Sequence, residues 1–364
     1  MSNKKILISI IIVTYNSKNH IKNCLESILN QSYPANYDFE IVIVDNCSSD
    51  ETVSFIEDNY PARIIKNQVN SGYGSANNLG VKNSEGNYIV ILNPDTICDE
   101  GWLPGLIEPL KNHSKLITTP RVLVYDGKYI NSCGLITHFT GLSFTRGLNA
   151  QKDDFNRSEC INGIFGCCFA IKKKDFLKLG GFDPDIFLYT EDVELSYRAH
   201  LNDFKILFVH NSIIKHDYVL NVSPQKIYYL ERGRYHILKK YMPWKYFLVL
   251  LPSLLIAEVL ITGYALKYGF EGLKYKIKAL RDVLSLEADK IDGNEIKIDK
   301  IFRFMDTEIP LDQLTFNPVE RAFKIIANKI FTINWVLFKS LNKNASSNKL
   351  SVDRLVDEFK GDVN

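Results

Sequence analysis

The chain has 364 residues, enough to bury a large core and to form one big domain with an appendage. Its 44 Lys and Arg against 42 Asp and Glu leave a formal charge of +2 with the signs interspersed, which removes the electrostatic case for a nucleic-acid partner. Seven cysteines without a CxxC spacing, two of them adjacent at Cys167 and Cys168, speak against a metal knuckle or a disulfide framework and for reduced thiols.

Two lysines and the apolar run Ile6–Val13 imitate a secretory signal, but the run is short and lacks a small-residue cleavage site. It passes directly into Thr14-Tyr15-Asn16, and its β-branched residues read as a strand covered on both faces. Ile21, Leu25, Ile28 and Leu29 predict a helix over Lys18–Leu29. Glu40–Asp45 (EIVIVD) is a second buried strand, running into Asp45-Asn46-Cys47-Ser48-Ser49-Asp50. A helix, a strand at Ile64–Ile65, a loop from Asn67 and a helix ending at Lys82 come next. Strand Tyr88–Leu92 then ends in Asn93-Pro94-Asp95-Thr96. Strand and helix alternating at these lengths predict an open, doubly wound α/β sheet, whose ligands sit off the carboxyl ends of the strands. Three polar clusters fall there in succession, which points to a nucleotide-type site.

Asp45 can accept the imide N–H of a pyrimidine and Tyr15 can offer the base an aromatic face; otherwise they are a helix cap and a packed tyrosine. The loop from Asn70 to Asn78 contains GxG, but a dinucleotide fingerprint belongs after the first strand, where TYNSKN stands instead. Its glycines let the backbone approach a ribose or phosphate, or simply make a turn. Asp95 is a hard carboxylate beside a phosphate site and suits Mg²⁺ or Mn²⁺, or is a turn residue after Pro94.

IIIVTYN, IVIVDNCSSD, NSGYGSANNLG and LNPDT, in this order, resemble the amino half of family 2 glycosyltransferases. The likeness is to the rhamnosyltransferase-like branch and runs over about residues 5–240. Asn162-Gly163-Ile164-Phe165-Gly166, GGFD…TEDVELSYR and His216 continue it. The resemblance implies a GT-A type doubly wound mixed sheet and a UDP- or dTDP-linked sugar donor. It implies nucleotide-sugar contacts at Thr14, Tyr15, Asn16, Asp45, Asn46, Asn70, Gly74, Asn78 and Asn93. Asp95 would bind the metal in a DxD-type site whose first Asp is here Asn93. His216 would be a further ligand and Asp192 the catalytic base, with Gly163, Phe165 and Glu191 on the acceptor side.

Read from residues alone, Gly180–Arg198 is a Gly-Gly turn, an aromatic run and a helix start. Thr190 is the expected N-cap, and Glu191, Asp192 and Glu194 suit the first-turn dipole. Glu194 reads as helix surface. Leu116–Tyr125 is an expected strand; Gly134–Gly147 is rich in glycine and aromatics. There Phe139 and Phe144 offer faces to a sugar or pack the loop, and Arg146 or Arg157 offers charge to a diphosphate. His210 reads as structural, and Asp217 is placed to orient His216.

Pro224–Tyr241 predicts a basic amphipathic helix. Tyr246–Leu266 has the length of a membrane span, with Pro252 and Glu258 inside it and basic residues at both ends. The symmetric flanks favour a broken helix dipping into one leaflet, with its cationic borders on anionic headgroups, over a buried helix. Val319–Leu341 is a surface anchor, an oligomer contact or a core helix. The expected division is 1–240 for the transferase domain, 241–343 for a helical membrane-associating region, and 344–364 for a linker and short last helix. Together these readings describe a metal-assisted, inverting transfer to a lipid-linked or glycan acceptor, on the cytoplasmic face of the cell membrane, by a monomer or homo-oligomer. Two other classes compete. A sugar nucleotidyltransferase would want a Gly-rich, basic loop after the first strand; a non-catalytic, membrane-bound carbohydrate-binding protein would show no metal-dependent donor hydrolysis.

Overall fold

The computed structural model describes residues 5–217, 222–286, 299–315 and 317–341; the expected linker and terminal helix at 344–364 lie outside them. The chain begins β1 (Ile6–Thr14), α1 (Lys18–Leu29), β2 (Tyr37–Asp45), α2 (Thr52–Asn59), β3 (Arg63–Lys66), α3 (Tyr73–Lys82) and β4 (Tyr88–Leu92). It continues through β5 (Thr96–Cys98), α4 (Trp102–Asn112), β6 (Leu116–Val124), β7 (Ile130–Ser132), β8 (Leu135–Thr137), β9 (Ser143–Thr145) and β10 (Glu159–Cys160). Next come β11 (Cys168–Lys172), α5 (Lys173–Leu179), α6 (Glu191–Leu201) and β12 (Lys205–His216). The helices α7 (Pro224–Tyr241), α8 (Trp244–Leu266), α9 (Gly269–Leu284), α10 (Asp299–Phe302) and α11 (Pro318–Leu341) follow.

Two compact units result, one built on a large mixed sheet and one helical. The sheet runs β10-β12-β6-β11-β4-β1-β2-β3, with β5 on β12 and β7 on β6. β1 pairs in parallel with both β2 and β4, while β11 enters antiparallel between β4 and β6. Both faces are covered, which is why the first strand is apolar but for Ser9 up to its polar end at Thr14. Ile8, Ile10 and Ile12 pack with Leu25, Trp102 and Leu106 on one side; Ile11 joins Phe176, Phe182 and Leu195 on the other.

The helical unit takes in Ile136–Phe144 and α7 onward, so it begins earlier than the expected boundary at 240. Phe139 is fully buried there against Phe331 and Trp335, and Phe144 packs on the same cluster. Loop packing, not sugar stacking, explains Phe139. Two of the cations expected on headgroups are instead internal: Arg234 pairs with Glu231 and Glu258, and Lys276 reaches the same two carboxylates at 2.8 and 2.6 Å. Glu258 inside the apolar helix is thereby accounted for; it faces its cations.

α8 is one continuous helix, not a broken one, although Pro252 lies inside it. The repair comes from Asn334 of α11. Its Nδ2 donates to Val249 O at 2.9 Å, while Ser253 N and Oγ donate to its Oδ1 at 3.3 and 2.6 Å. A side-chain amide thus stands in the i→i−4 ladder beside the proline. The helix buries Leu250, Ser253, Leu254 and Ala257 and exposes Trp244, Leu248, Leu255, Val259 and Leu266, an apolar outward stripe with the exposed Lys245 at its amino end. Replacing Asn334 with Leu strands the Val249 carbonyl and the Ser253 donors, and is expected to cost about 1–3 kcal/mol in urea unfolding.

Candidate active site

The register of β1 assembles the site. Thr14 lies opposite Asp45 and Ile12 opposite Leu92, so the three polar clusters emerge together. Asp45 is buried; its Oδ1 accepts from Thr14 Oγ1 at 3.0 Å and Ser48 Oγ at 2.5 Å, and its Oδ2 from Ser48 N at 3.0 Å. Asn16, at φ 52°, ties the first loop to the second by accepting from Ser49 N and Asp50 N. Tyr15 is left 54% exposed, an open aromatic face at this edge.

Asn46 is buried and knits the loop before α3: it donates to Asn70 Oδ1 and Gly72 O, and accepts from Asn67 Nδ2 and Ser71 N. The loop glycines serve a close approach, but to protein. Gly72 sits at φ 84°, where a Cβ would lie 2.3 Å from Phe187 O, and a Cβ on Gly74 would lie 2.9 Å from Phe182 Cβ. Asn78 completes the join, accepting from Phe182 N and donating to Phe182 O, both at 2.8 Å. α3 therefore holds the segment that carries the acidic cluster.

At that cluster Tyr189 and Thr190 are both left-handed, φ 61° and 63°. The expected cap does not form: Thr190 makes no side-chain bond to the helix start. A β-branched residue in this region is strained by roughly 1–3 kcal/mol, which the surrounding packing must hold. Asp192 follows, its Oδ2 accepting from Gly166 N and its Oδ1 from Val193 N, each at 2.8 Å. Burial pushes its carboxyl up, against the pull of those two N–H groups. Glu191 is buried, with Oε2 making no hydrogen bond, and burial together with the charge of Asp192 pushes it up as well. Glu194 is not surface; it is fully buried and paired with Arg198, which also donates to Leu179 O.

On the other side, β12 pairs with β5 so that His216 faces Thr96, and His216 Nε2 lies 3.3 Å from Asp95 Oδ1. Burial works to raise the Asp95 carboxyl, but the imidazole beside it outweighs that and holds it below its ordinary value. Asp217 does not orient His216; it turns to His20, Oδ2 to Nδ1 at 3.4 Å. Asn131 of β7 takes that place, with Oδ1 3.0 Å from His216 Nδ1. Phe165 packs edge-on to His216, and Gly163 O accepts from Leu135 N at 2.9 Å. Arg146 is engaged by Glu159 and the ring of Phe155, Arg157 is exposed, and His210 bonds Ser158.

The two sides are joined by a residue the sequence did not single out. Tyr73 OH lies 2.8 Å from Asn93 Oδ1 and 2.9 Å from Gly166 O, and Gly166 N is the donor to Asp192. Its only sequence signal was an aromatic between two glycines.

A buried carboxylate oxygen and imidazole nitrogen at 3.3 Å, beside a strand-end nucleotide-type site, fit a hard or borderline divalent cation. The solved structures similar to this chain define its fold class as GT-A. They include GalNAc-T7 with UDP, GalNAc and Mn²⁺, at TM-score 0.57 and 19% identity over 76% of this chain and 55% of that one. They also include Staphylococcus aureus TarS 1–349 in complex with UDP-GlcNAc, at 0.51 and 20% over 91% of each. Residues 9–180 match the family described as glycosyl transferase family 2. Among curated relatives, the poly-β-1,6-N-acetyl-D-glucosamine synthase of Staphylococcus epidermidis is 27% identical over 204 residues, 55% of this chain and 47% of that protein. Its counterpart in S. aureus strain MW2 is 26% identical over the same length. The chain spans about half the length of these relatives.

Because Glu191 is raised, the fold retains a proton there that the unfolded chain releases above the ordinary value of 4.5. Stability contributed at this position is therefore present below that value and lost as pH rises toward the folded one. Glu191→Gln is expected to be roughly 1–3 kcal/mol more stable than the parent at about pH 8 and equal to it at about pH 4, read by urea melts.

Proposed function

We propose that the chain is an inverting glycosyltransferase that moves a sugar from a nucleoside-diphosphate donor to an acceptor hydroxyl. The observation that carries this reading is the pair of carboxylates with opposite bias. Asp95 is held ionised beside His216, and Asp192 is made more basic by burial, while Tyr73 ties Asn93 to Gly166, whose N–H donates to Asp192. Asp192 accepts the acceptor's proton as its oxygen attacks the anomeric carbon; the bond from that carbon to the diphosphate breaks, and the configuration inverts in one displacement. Asp95 and His216 would hold Mg²⁺ or Mn²⁺, whose charge stabilises the departing diphosphate when bound. Tyr15 and Asp45 face the nucleotide at the edge of the first two strands, and Glu191 lines the acceptor side.

The donor classes to compare are UDP-N-acetylhexosamine, supported by the sugars named for the relatives and neighbours, and the dTDP-rhamnose of the resembled branch. The acceptor is a glycan or lipid-linked sugar. The apolar outward stripe of α8, a helix long and apolar enough to cross a membrane, supports an in-plane seat on the inner face of the cell membrane.

Asp192→Asn is expected to lower turnover by about 10²–10⁴ while nucleotide-sugar affinity stays within a few-fold; a fully active variant in a nucleotide-release assay removes the assignment. Parent activity should fall on acidification at a pH above the ordinary carboxylate range, because the base is lost when its raised carboxyl protonates. Val259→Glu should reduce flotation with anionic vesicles several-fold without changing soluble turnover. Unchanged flotation removes the seat.

A further inference from the structure

We propose that α11 is a second element of the membrane seat: with α8 it forms one apolar slab bordered by cations, and what covers that slab is the surface of an anionic bilayer. This extends the seat read for α8 above and rests on it. On α11, Val319, Phe323, Ile326, Ile333, Leu337 and Leu341 are each more than half exposed. With the half-buried Ile330 among them they recur every three or four positions, so they form one continuous face. The opposite face is apolar too: Ala327, Phe331, Trp335 and Phe338 pack in the cluster around Phe139. A helix apolar on both sides belongs inside something, and the protein covers only one side.

Leu250 and Ala257 of α8 join the same cluster, and Asn334 bonds to Val249 O and Ser253 Oγ. Two helices seated side by side on one cluster leave their outer faces on the same side of the unit. At 3.6 residues per turn, the exposed apolar residues of α11 lie within about 100° of Asn334, and Arg321, Lys329 and Lys339 lie about 140° from it. The apolar face therefore adjoins α8, and three exposed cations form its outer border. Lys324 is turned inward and donates to Pro310 O at 3.1 Å. Glu320, the one acid of α11, is taken by Lys267 at 2.7 Å. A second copy laid on this face would bring like borders together with no exposed acid on α11 to answer them. Anionic headgroups supply the opposite sign, and the long Lys and Arg stems reach them while the apolar face sinks to the acyl boundary.

The test uses the full chain and flotation on two vesicles, phosphatidylcholine alone and equal parts phosphatidylcholine and phosphatidylglycerol. Ile326→Glu combined with Ile333→Glu should weaken binding to the anionic vesicles about tenfold or more. Both residues are exposed, so circular dichroism and soluble turnover should match the parent. If the Glu pair fails to fold, Ile326→Gln with Ile333→Gln takes its place. Arg321→Gln, Lys329→Gln and Lys339→Gln together should weaken anionic binding about tenfold or more and leave phosphatidylcholine binding within about threefold. Folded α11 variants that float like the parent, while Val259→Glu does not, overturn the role of α11 alone. A parent that floats on neither vesicle, or Val259→Glu floating as the parent does, ends the α8 seat and this extension with it. Sedimentation without lipid should give the parent and the Glu pair the same mass; a parent dimer that the pair dissociates assigns the face to a second copy and overturns the proposal.

Discussion

Thr14 stands opposite Asp45, and Ile12 opposite Leu92, because β1 is paired in parallel on both of its edges. A slip of one residue in either pairing would turn the apolar residues of β1 to the wrong faces, so the core enforces the register that the site requires. From those strand ends a closed course of hydrogen bonds follows. Asn46 shapes the loop into α3, Asn78 of α3 grips Phe182, and the segment after Phe182 delivers Asp192 to Gly166. Tyr73 then connects Gly166 back to Asn93 at the end of β4. The acidic helix start is thus fixed by the sheet rather than by its own cap.

Within that frame two carboxylates receive opposite treatment. Asp95 has an imidazole alongside and stays charged; Asp192 has only backbone N–H groups against extensive burial, and it gains basicity. Groups driven apart in this way divide the labour of a reaction, one holding charge and one moving a proton. Glu191 is pushed up in turn, by its own burial and by the charge of Asp192 beside it.

The sheet was legible because its signal is dense: Ile6–Val13, Glu40–Asp45 and Tyr88–Leu92 are almost wholly apolar between polar ends, and the structure extends them by a few residues at most. Helices at Lys18–Leu29 and Pro224–Tyr241 were read to the residue, the second helped by Ser223 and Pro224. What failed depended on partners distant in sequence. Asn131 lies in a three-residue strand whose bulge has no sequence mark. The cations around Glu258 looked like a basic flank, because Glu258 lies 24 and 18 positions away from them. Glu194 has its arginine four residues on, yet its burial came from the α5 side, which periodicity does not reveal. Thr190 had the right chemistry for a cap and the wrong backbone.

The amide that completes α8 comes from Asn334, 81 residues after Ser253. A ribosome adding about 5–20 residues per second needs several seconds to reach it. During that interval the most apolar helix of the chain has been made while its ladder beside Pro252 is still open. The helical unit therefore cannot mature from its amino end as it emerges. Its final form waits for α11, which makes this region a natural client for whatever shields apolar segments during synthesis.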